Sequence, residues 1–198
     1  MDVSSASGLS TLGAINGMLI DLDFTGKLDL IAVTGNSNEV QVLRQSGHMA
    51  GIGLQTMSFT NITSASGVPA TLRNVQSVVM EDWNGDHVMD VIASRTDRPP
   101  LLLEKQRGGK LIPREQSGWG GGSAFCAGDF DNDLRPDLAV VGDGSISICF
   151  NGGERRDITV PGGEAFHQLV PVDFDNDGWL DLWAVGEKIR VWRNLGLS

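Results

Sequence analysis

The chain has 198 residues, of which 40% are apolar and 20% charged, a composition typical of a folded globular protein and unlike that of a disordered chain. Its formal net charge is -10, and the sequence shows no cationic stripe of the kind with which proteins bind nucleic acid. Fourteen of the 25 acidic residues lie in four short loops, so the acidity is local. The apolar runs are too short to span a membrane.

The four acidic loops share one pattern of side chains at positions one, three, five and nine. Loop four is the most complete, with four aspartates and Gly178 at position six, where a sharp turn favours a positive φ. Carboxylate and other oxygen donors at this spacing are the ligands that Ca²⁺ prefers. The sets in loops one to four are Asp21, Asp23, Thr25 and Asp29; Asp82, Asn84, Asp86 and Asp90; Asp129, Asp131, Asp133 and Asp137; and Asp173, Asp175, Asp177 and Asp181.

The loops are not EF-hands, because position twelve lacks the bidentate glutamate of that motif. It is occupied by Ala32, Ala93, Val140 and Ala184. Each loop is followed at once by a short, partly β-branched apolar run and then by a turn signal. This order predicts that the loops connect strands.

The loops begin at residues 21, 82, 129 and 173, and this spacing is typical of propeller blades with four strands each. We therefore predict an all-β protein, a β-propeller of four antiparallel blades within one unit, 1–198. The extra length of blade one is assigned to residues 46–53 and 62–74. The expected blades span 13–62, 74–115, 123–161 and 165–198.

The fourth predicted blade lacks its last strand, and two explanations remain open. Residues 2–12 precede blade one without a blade of their own, so they either complete blade four or form a tail. Alternatively, the four blades belong to a larger propeller, whose exposed ends would need further blades or self-association.

The ligand chemistry predicts up to four Ca²⁺ sites of unequal strength. Loop four should bind most tightly, and loop one, in which Thr25 replaces a carboxylate, should be weakest. In loop three, Leu134 occupies position six, where a positive φ costs a branched residue about 1 kcal/mol or more. The alternative is that the aspartates only form Asx-turns; Mg²⁺ is disfavoured because it rarely uses an all-protein cage.

The loops and the runs around them resemble a known repeat. The segments "GDFDNDLRPDLAVVG" and "VDFDNDGWLDLWAVG" are similar to the FG-GAP/VCBS repeats of integrin-α-like β-propellers, and the resemblance covers nearly the whole chain. It implies a calcium-binding module for adhesion or protein–protein interaction. The millimolar calcium that such sites need implies an extracellular, cell-surface or periplasmic location, although no signal peptide is seen.

The runner-up function is a carbohydrate-binding or calcium-dependent polysaccharide-degrading propeller, so the partner is either a protein or a glycan. No catalytic constellation is identified in the sequence, and we expect no enzyme activity. On the face opposite the calcium loops, the alternative to solvated loop decoration is a second ligand patch. It would comprise Trp119, in a glycine-rich connection, together with Arg95 and Arg98.

Overall fold

The computed structural model describes residues 4–35, 37–47, 57–116, 118–122, 124–142, 144–151 and 153–196. Within them, fifteen strands form four antiparallel sheets, and the strands of each sheet follow one another in chain order. This up-and-down order is that of propeller blades. The predicted all-β propeller with four blades is confirmed.

Each blade is one sheet, and its strands are called A to D in chain order. Blade one contains β1 (Ala14–Ile20), β2 (Asp29–Thr34), β3 (Glu39–Ser46) and β4 (Ser58–Asn61); blade two contains β5 (Val78–Glu81), β6 (Asp90–Ala93), β7 (Leu101–Lys105) and β8 (Leu111–Glu115). Blade three contains β9 (Ala124–Gly128), β10 (Asp137–Gly142), β11 (Ser145–Cys149) and β12 (Arg155–Thr159); blade four contains β13 (Phe166–Val172), β14 (Asp181–Gly186) and β15 (Ile189–Trp192).

The connections contain three short helical segments. They are α1 (Ser4–Ser7), α2 (Thr63–Ser66) and a 3-10 turn (Pro161–Gly163). The connection between β3 and β4 carries part of the extra length of blade one, and its residues 48–56 lie outside the described part. No helix among the described residues has the length and apolar character needed to cross a membrane.

The described residues at the start of the chain, 4–12, do not form the strand that blade four lacks. Residues 4–12 form α1 and turns, and α1 lies against β4 of blade one. Within the described residues, blade four therefore has three strands. The expectation that residues 2–12 complete this blade is not met by residues 4–12, and residues 2 and 3 lie outside the described part.

The apolar runs of the inner B strands, β6 and β10, are explained by burial on both faces. In β10, Leu138 and Val140 pack towards blade two, whereas Ala139 and Val141 pack towards blade four. All four side chains are at most 5% exposed. A strand buried on both faces reads as a continuous apolar run rather than as an alternating one, which is why these runs could be recognised in the sequence.

Three apolar cores join the four blades in series. The first lies between blades one and two, the second between blades two and three, and the third between blades three and four. The A strands β1, β5, β9 and β13 contact their neighbours in the same order. In all four blades the acidic loop lies in the turn between strands A and B, the first two strands of the sheet.

Candidate metal sites in the A–B loops

Each acidic loop is closed by its first aspartate. In loop four, Asp173 Oδ1 accepts a hydrogen bond from the backbone N–H of Asp177 at 3.1 Å, and its Oδ2 accepts one from Gly178 N–H at 3.0 Å. The same pair of bonds, from positions five and six to position one, occurs in the other three loops. The loops therefore hold their shape through backbone hydrogen bonds to a carboxylate.

Two positions in every loop have a positive φ, not one. Position six has φ values of +77° at Gly26, +64° at His87, +67° at Leu134 and +90° at Gly178. Loop three thus follows the same path as the others, and Leu134 bears the strain with its side chain 92% exposed. Position four has a positive φ as well, which the sequence analysis missed. Its residues are Phe24, Gly85, Asn132 and Asn176, and the Gly and Asn at three of them are a signal for this conformation.

The aspartate at position nine is buried and ties the loop to strand C. Asp137 is fully buried; its Oδ2 accepts the backbone N–H of Phe130 at 2.8 Å, and its Oδ1 accepts that of Asn151 at 3.0 Å. Asp29 and Asp181 are held in the same way. In loop two, the only described donor to Asp90 Oδ1 is the N–H of Lys105, at 2.8 Å. The carboxylate at position nine therefore has a structural role in every loop, whether or not a metal is bound.

Burial makes the charged form of these carboxylates costly. It raises the pKa of Asp90 and that of Asp137 to about 6, although the backbone N–H donors act in the opposite direction. Burial likewise raises the pKa of Asp29. A nearby cation would favour ionisation of such groups.

Two of the loops bring three carboxylates together. In loop three, one oxygen from each of Asp129, Asp131 and Asp137 lies within 4.8 Å of the others. In loop four, the corresponding oxygens belong to the first, third and fifth aspartates, namely Asp173, Asp175 and Asp177. In loops one and two, all of whose residues are described, no three carboxylates meet this distance.

The remaining predicted ligands lie in the loops but outside these clusters. In loop three, Asp133 is held by Arg135 through a charged hydrogen bond at 2.8 Å. In loop two, Asn84 Oδ1 accepts the backbone N–H of Asp86 at 3.0 Å. The others are Asp181, which is buried beneath loop four, Asp82, Asp86 and Asp90 in loop two, and Asp21, Asp23, Thr25 and Asp29 in loop one.

Basic side chains neutralise several loops, which the sequence analysis did not anticipate. Arg193 lies at the end of strand C of blade four, and its guanidinium is 2.5 Å from Asp175 and 3.0 Å from Asp177. In loop one, Arg44 is 3.4 Å from Asp23. A cation entering loop four would have to displace Arg193, which weakens the reason for ranking that loop as the tightest.

The donor sets fit a hard divalent cation. The clusters consist of carboxylate oxygens alone, which suit Ca²⁺, Mg²⁺ or Mn²⁺ and not the softer metals that prefer sulfur or imidazole. Two further loop oxygens, Asp23 Oδ1 and Asp90 Oδ2, are buried and accept no hydrogen bond within the described residues. Such acceptors are costly unless a donor or a cation satisfies them.

The expected second ligand patch does not form as predicted. Trp119 is 7% exposed, and its ring packs edge-to-face on Trp83 with the centroids 4.8 Å apart, inside the core between blades two and three. Arg95 is 4% exposed and forms a bidentate ion pair with Glu115. Only Arg98 has an exposed side chain. Trp119 and Arg95 are thus structural residues: packing between blades two and three buries Trp119, and contacts within blade two hold Arg95.

Comparison with known proteins supports the repeat pattern. The family model of the FG-GAP-like repeat matches residues 21–93 and 112–184, well over half of the chain. The search of curated proteins found no match to this chain.

A solved structure, the Tc holotoxin pore of Photorhabdus luminescens, is similar over 99% of this chain, with 19% sequence identity and a TM-score of 0.49. This chain corresponds to only 9% of that protein's chain. The spacing of the loops, the four-bladed fold and the match to both halves of the sequence agree, and the chain belongs to the FG-GAP-like repeat family.

Proposed function

We propose that this chain is a calcium-binding propeller module that works outside the cytosol as an adhesion or protein-interaction unit. The observation that carries the proposal is the pair of carboxylate clusters in loops three and four, in which three oxygens lie within 4.8 Å of one another. Ca²⁺ accepts six to eight oxygen ligands in flexible geometry, whereas Mg²⁺ demands a near-ideal octahedron and keeps several waters. Loops with three carboxylates and exposed rims suit the first ion better.

The proposed location follows from affinity. Asp175 and Asp177 are already paired with Arg193, and Asp133 with Arg135. Binding of Ca²⁺ must therefore compete with an internal cation, which favours dissociation constants in the range of extracellular modules, roughly 10⁻⁴–10⁻³ M. At cytosolic calcium levels such sites would be nearly empty.

Calcium at these sites should raise the free energy of unfolding and the melting temperature. In about 1 mM calcium, each site with such a constant adds about 0.4–1.4 kcal/mol to the free energy of unfolding. Two sites would add about 1–3 kcal/mol. At this chain length, 1 kcal/mol shifts the melting temperature by about 2–4 °C, so excess EGTA should lower it by roughly 2–11 °C.

The test combines calorimetric calcium titration with melting curves in calcium and in EGTA at constant magnesium. Asp131→Ala and Asp175→Ala should each abolish one site and part of the calcium-dependent stabilisation. Asp157→Ala is the matched control, because Asp157 is an exposed acid of β12, outside the loops, and its only partners in the described part of the chain are Arg155 and Ser147. Superimposable melting curves with and without calcium would refute the proposal.

The interaction role is a proposal about binding and not about catalysis. A polysaccharide-degradation assay in calcium should therefore be silent, while a screen of glycans and surface proteins should identify the partner class. Cleavage of a polysaccharide would instead support the carbohydrate-active alternative.

A further inference from the structure

Each blade presents two different faces to its neighbours. We call the face towards the preceding blade the rear face and the face towards the following blade the forward face. In blade three, Leu138 of β10 lies on the rear face and Ala139 on the forward face. Because β14 has the same register to its A strand as β10, Leu182 lies on the rear face of blade four and Trp183 on its forward face.

The forward face of blade four is open. Position two of the loops shows this most clearly, because the side chains of Leu22, Trp83 and Phe130 are only 0%, 9% and 4% exposed, whereas that of Phe174 is 49% exposed. On the same face of blade four, Ile189 is also largely exposed, at 61%. Ile189 and Val191 of β15 pair across the sheet with Val185 and Trp183. An apolar sheet face of this kind is unusual on an isolated soluble unit.

The rear face of blade one is open as well. Leu19 of β1 is 52% exposed, and its cross-strand neighbour Leu30 is only partly buried. The residues equivalent to Leu19 by strand register are Met80, Ala127 and Pro171. Met80 and Ala127 pack against the core shared with the preceding blade. Leu19 therefore occupies an interface position on which, within the described residues, no preceding blade packs.

A side-chain hydrogen bond to the loop of the preceding blade occurs in blades two, three and four. The matching donor in blade one and the matching acceptor in loop four have no partner within the described residues. After strand C of blade four, the Asn194 side-chain amide donates to the carbonyl of Phe130 in the loop of blade three, at 2.8 Å. Asn151 donates in the same way to the carbonyl of Trp83, at 3.1 Å. In blade two, Lys105 Nζ reaches the carbonyl of Asp21 in the loop of blade one, at 2.7 Å. Each of these residues also donates its backbone N–H to the position-nine aspartate of its own blade.

Gln45 is the equivalent residue of blade one, because its backbone N–H donates to Asp29 at 2.8 Å. Among the described residues, its side-chain amide forms no hydrogen bond. The equivalent acceptor in loop four is the carbonyl of Phe174, which is likewise without a donor in this part of the chain. The donor and the acceptor of one inter-blade bond are thus left over at opposite ends of the same chain.

We propose that the forward face of blade four packs on the rear face of blade one of a second copy of this chain. The two faces are the two halves of the interface that joins successive blades three times within the chain. Apart from Glu39 at the start of β3 and the buried Asp181, their strand positions carry apolar or neutral side chains. In the assembly, Gln45 of one copy donates to the carbonyl of Phe174 in the other, and Phe174 and Leu19 become buried. The contact is heterologous, so it closes into a ring or continues as a filament.

The test is sedimentation of the full chain from micromolar to near-millimolar concentration, in EGTA so that the result does not depend on calcium binding. The wild type should self-associate. Leu19→Lys on the rear face and Ile189→Lys on the forward face should each raise the dissociation constant at least tenfold. Leu134→Lys is the matched control, because Leu134 is 92% exposed on loop three, away from both faces, and it should associate like the wild type.

Mixing the two face variants makes the test specific for a heterologous contact. The copy carrying Leu19→Lys retains an intact forward face, and the copy carrying Ile189→Lys retains an intact rear face, so the mixture should form a one-to-one complex and nothing larger. Val191→Lys provides a second forward-face variant if Ile189→Lys alters the circular dichroism spectrum. A wild type that stays monomeric, a face variant that associates normally, or a mixture without a complex would each overturn the proposal.

Discussion

Replacement of the buried aspartate at position nine should separate the structural role of a loop from its metal-binding role. Asp137→Ala removes a fully buried carboxylate that accepts N–H bonds from Phe130 and Asn151. Two buried N–H groups left without an acceptor cost about 1–3 kcal/mol each. Removing the buried charge of Asp137 offsets part of this loss of stability, because its pKa, raised to about 6, corresponds to about 3 kcal/mol of unfavourable ionisation. We expect a net loss of about 1–3 kcal/mol in metal-free buffer.

The matched variant is Asp133→Ala in the same loop. Asp133 lies at the exposed rim, where its main partner is Arg135, and a surface ion pair contributes about 0–1 kcal/mol. Urea denaturation in EGTA should therefore show a larger loss for Asp137→Ala than for Asp133→Ala. In calcium, both variants should lose the extra stabilisation that the wild type gains from loop three. Equal and small losses in EGTA would refute the structural role of position nine.

Three further predictions concern single residues or pairs. Arg193→Ala should raise the calcium affinity of loop four roughly 2- to 30-fold in calorimetric titration, because the two surface ion pairs of Arg193 with Asp175 and Asp177 no longer compete with calcium. An unchanged or lower affinity would contradict this. Leu134→Gly should raise the melting temperature by about 1–4 °C, since it relieves a φ of +67° and removes an exposed side chain, and a lower value would show that no strain exists. In metal-free buffer, the contribution of Asp90 and Asp137 to stability should increase as the pH falls from about 7 to about 5, because the folded state, with pKa values near 6, binds protons more tightly than the unfolded chain. Urea midpoints that fall steadily over this range would argue against these shifts.

The sequence was sufficient to predict the blades, because each loop is short and its residues act locally. The backbone N–H groups that close a loop come from positions five and six, so the spacing of the aspartates records the turn directly. The B strands of blades two and three could be recognised for a related reason: burial on both faces produces a continuous apolar run.

Contacts between blades could not be predicted in this way. Trp119 lies in a glycine-rich segment that reads as an exposed connection, yet it is buried by Trp83, which belongs to the loop of the preceding blade. Arg193 approaches loop four only because strand C returns beside it. These placements depend on how the sheets pair and stack, and a local pattern carries no information about that.

The loop geometry also limits what calcium can contribute to folding. The first aspartate of each loop is already bound by two backbone N–H groups, and those at position nine accept one or two more from within their own blade. A loop that is held in place before metal binding loses little conformational entropy when the ion enters. Binding energy then appears as added stability and not as the formation of the fold. For this reason we expect the chain without metal to remain folded, with calcium raising its melting temperature by a few degrees, in contrast to a domain that unfolds when its metal is removed.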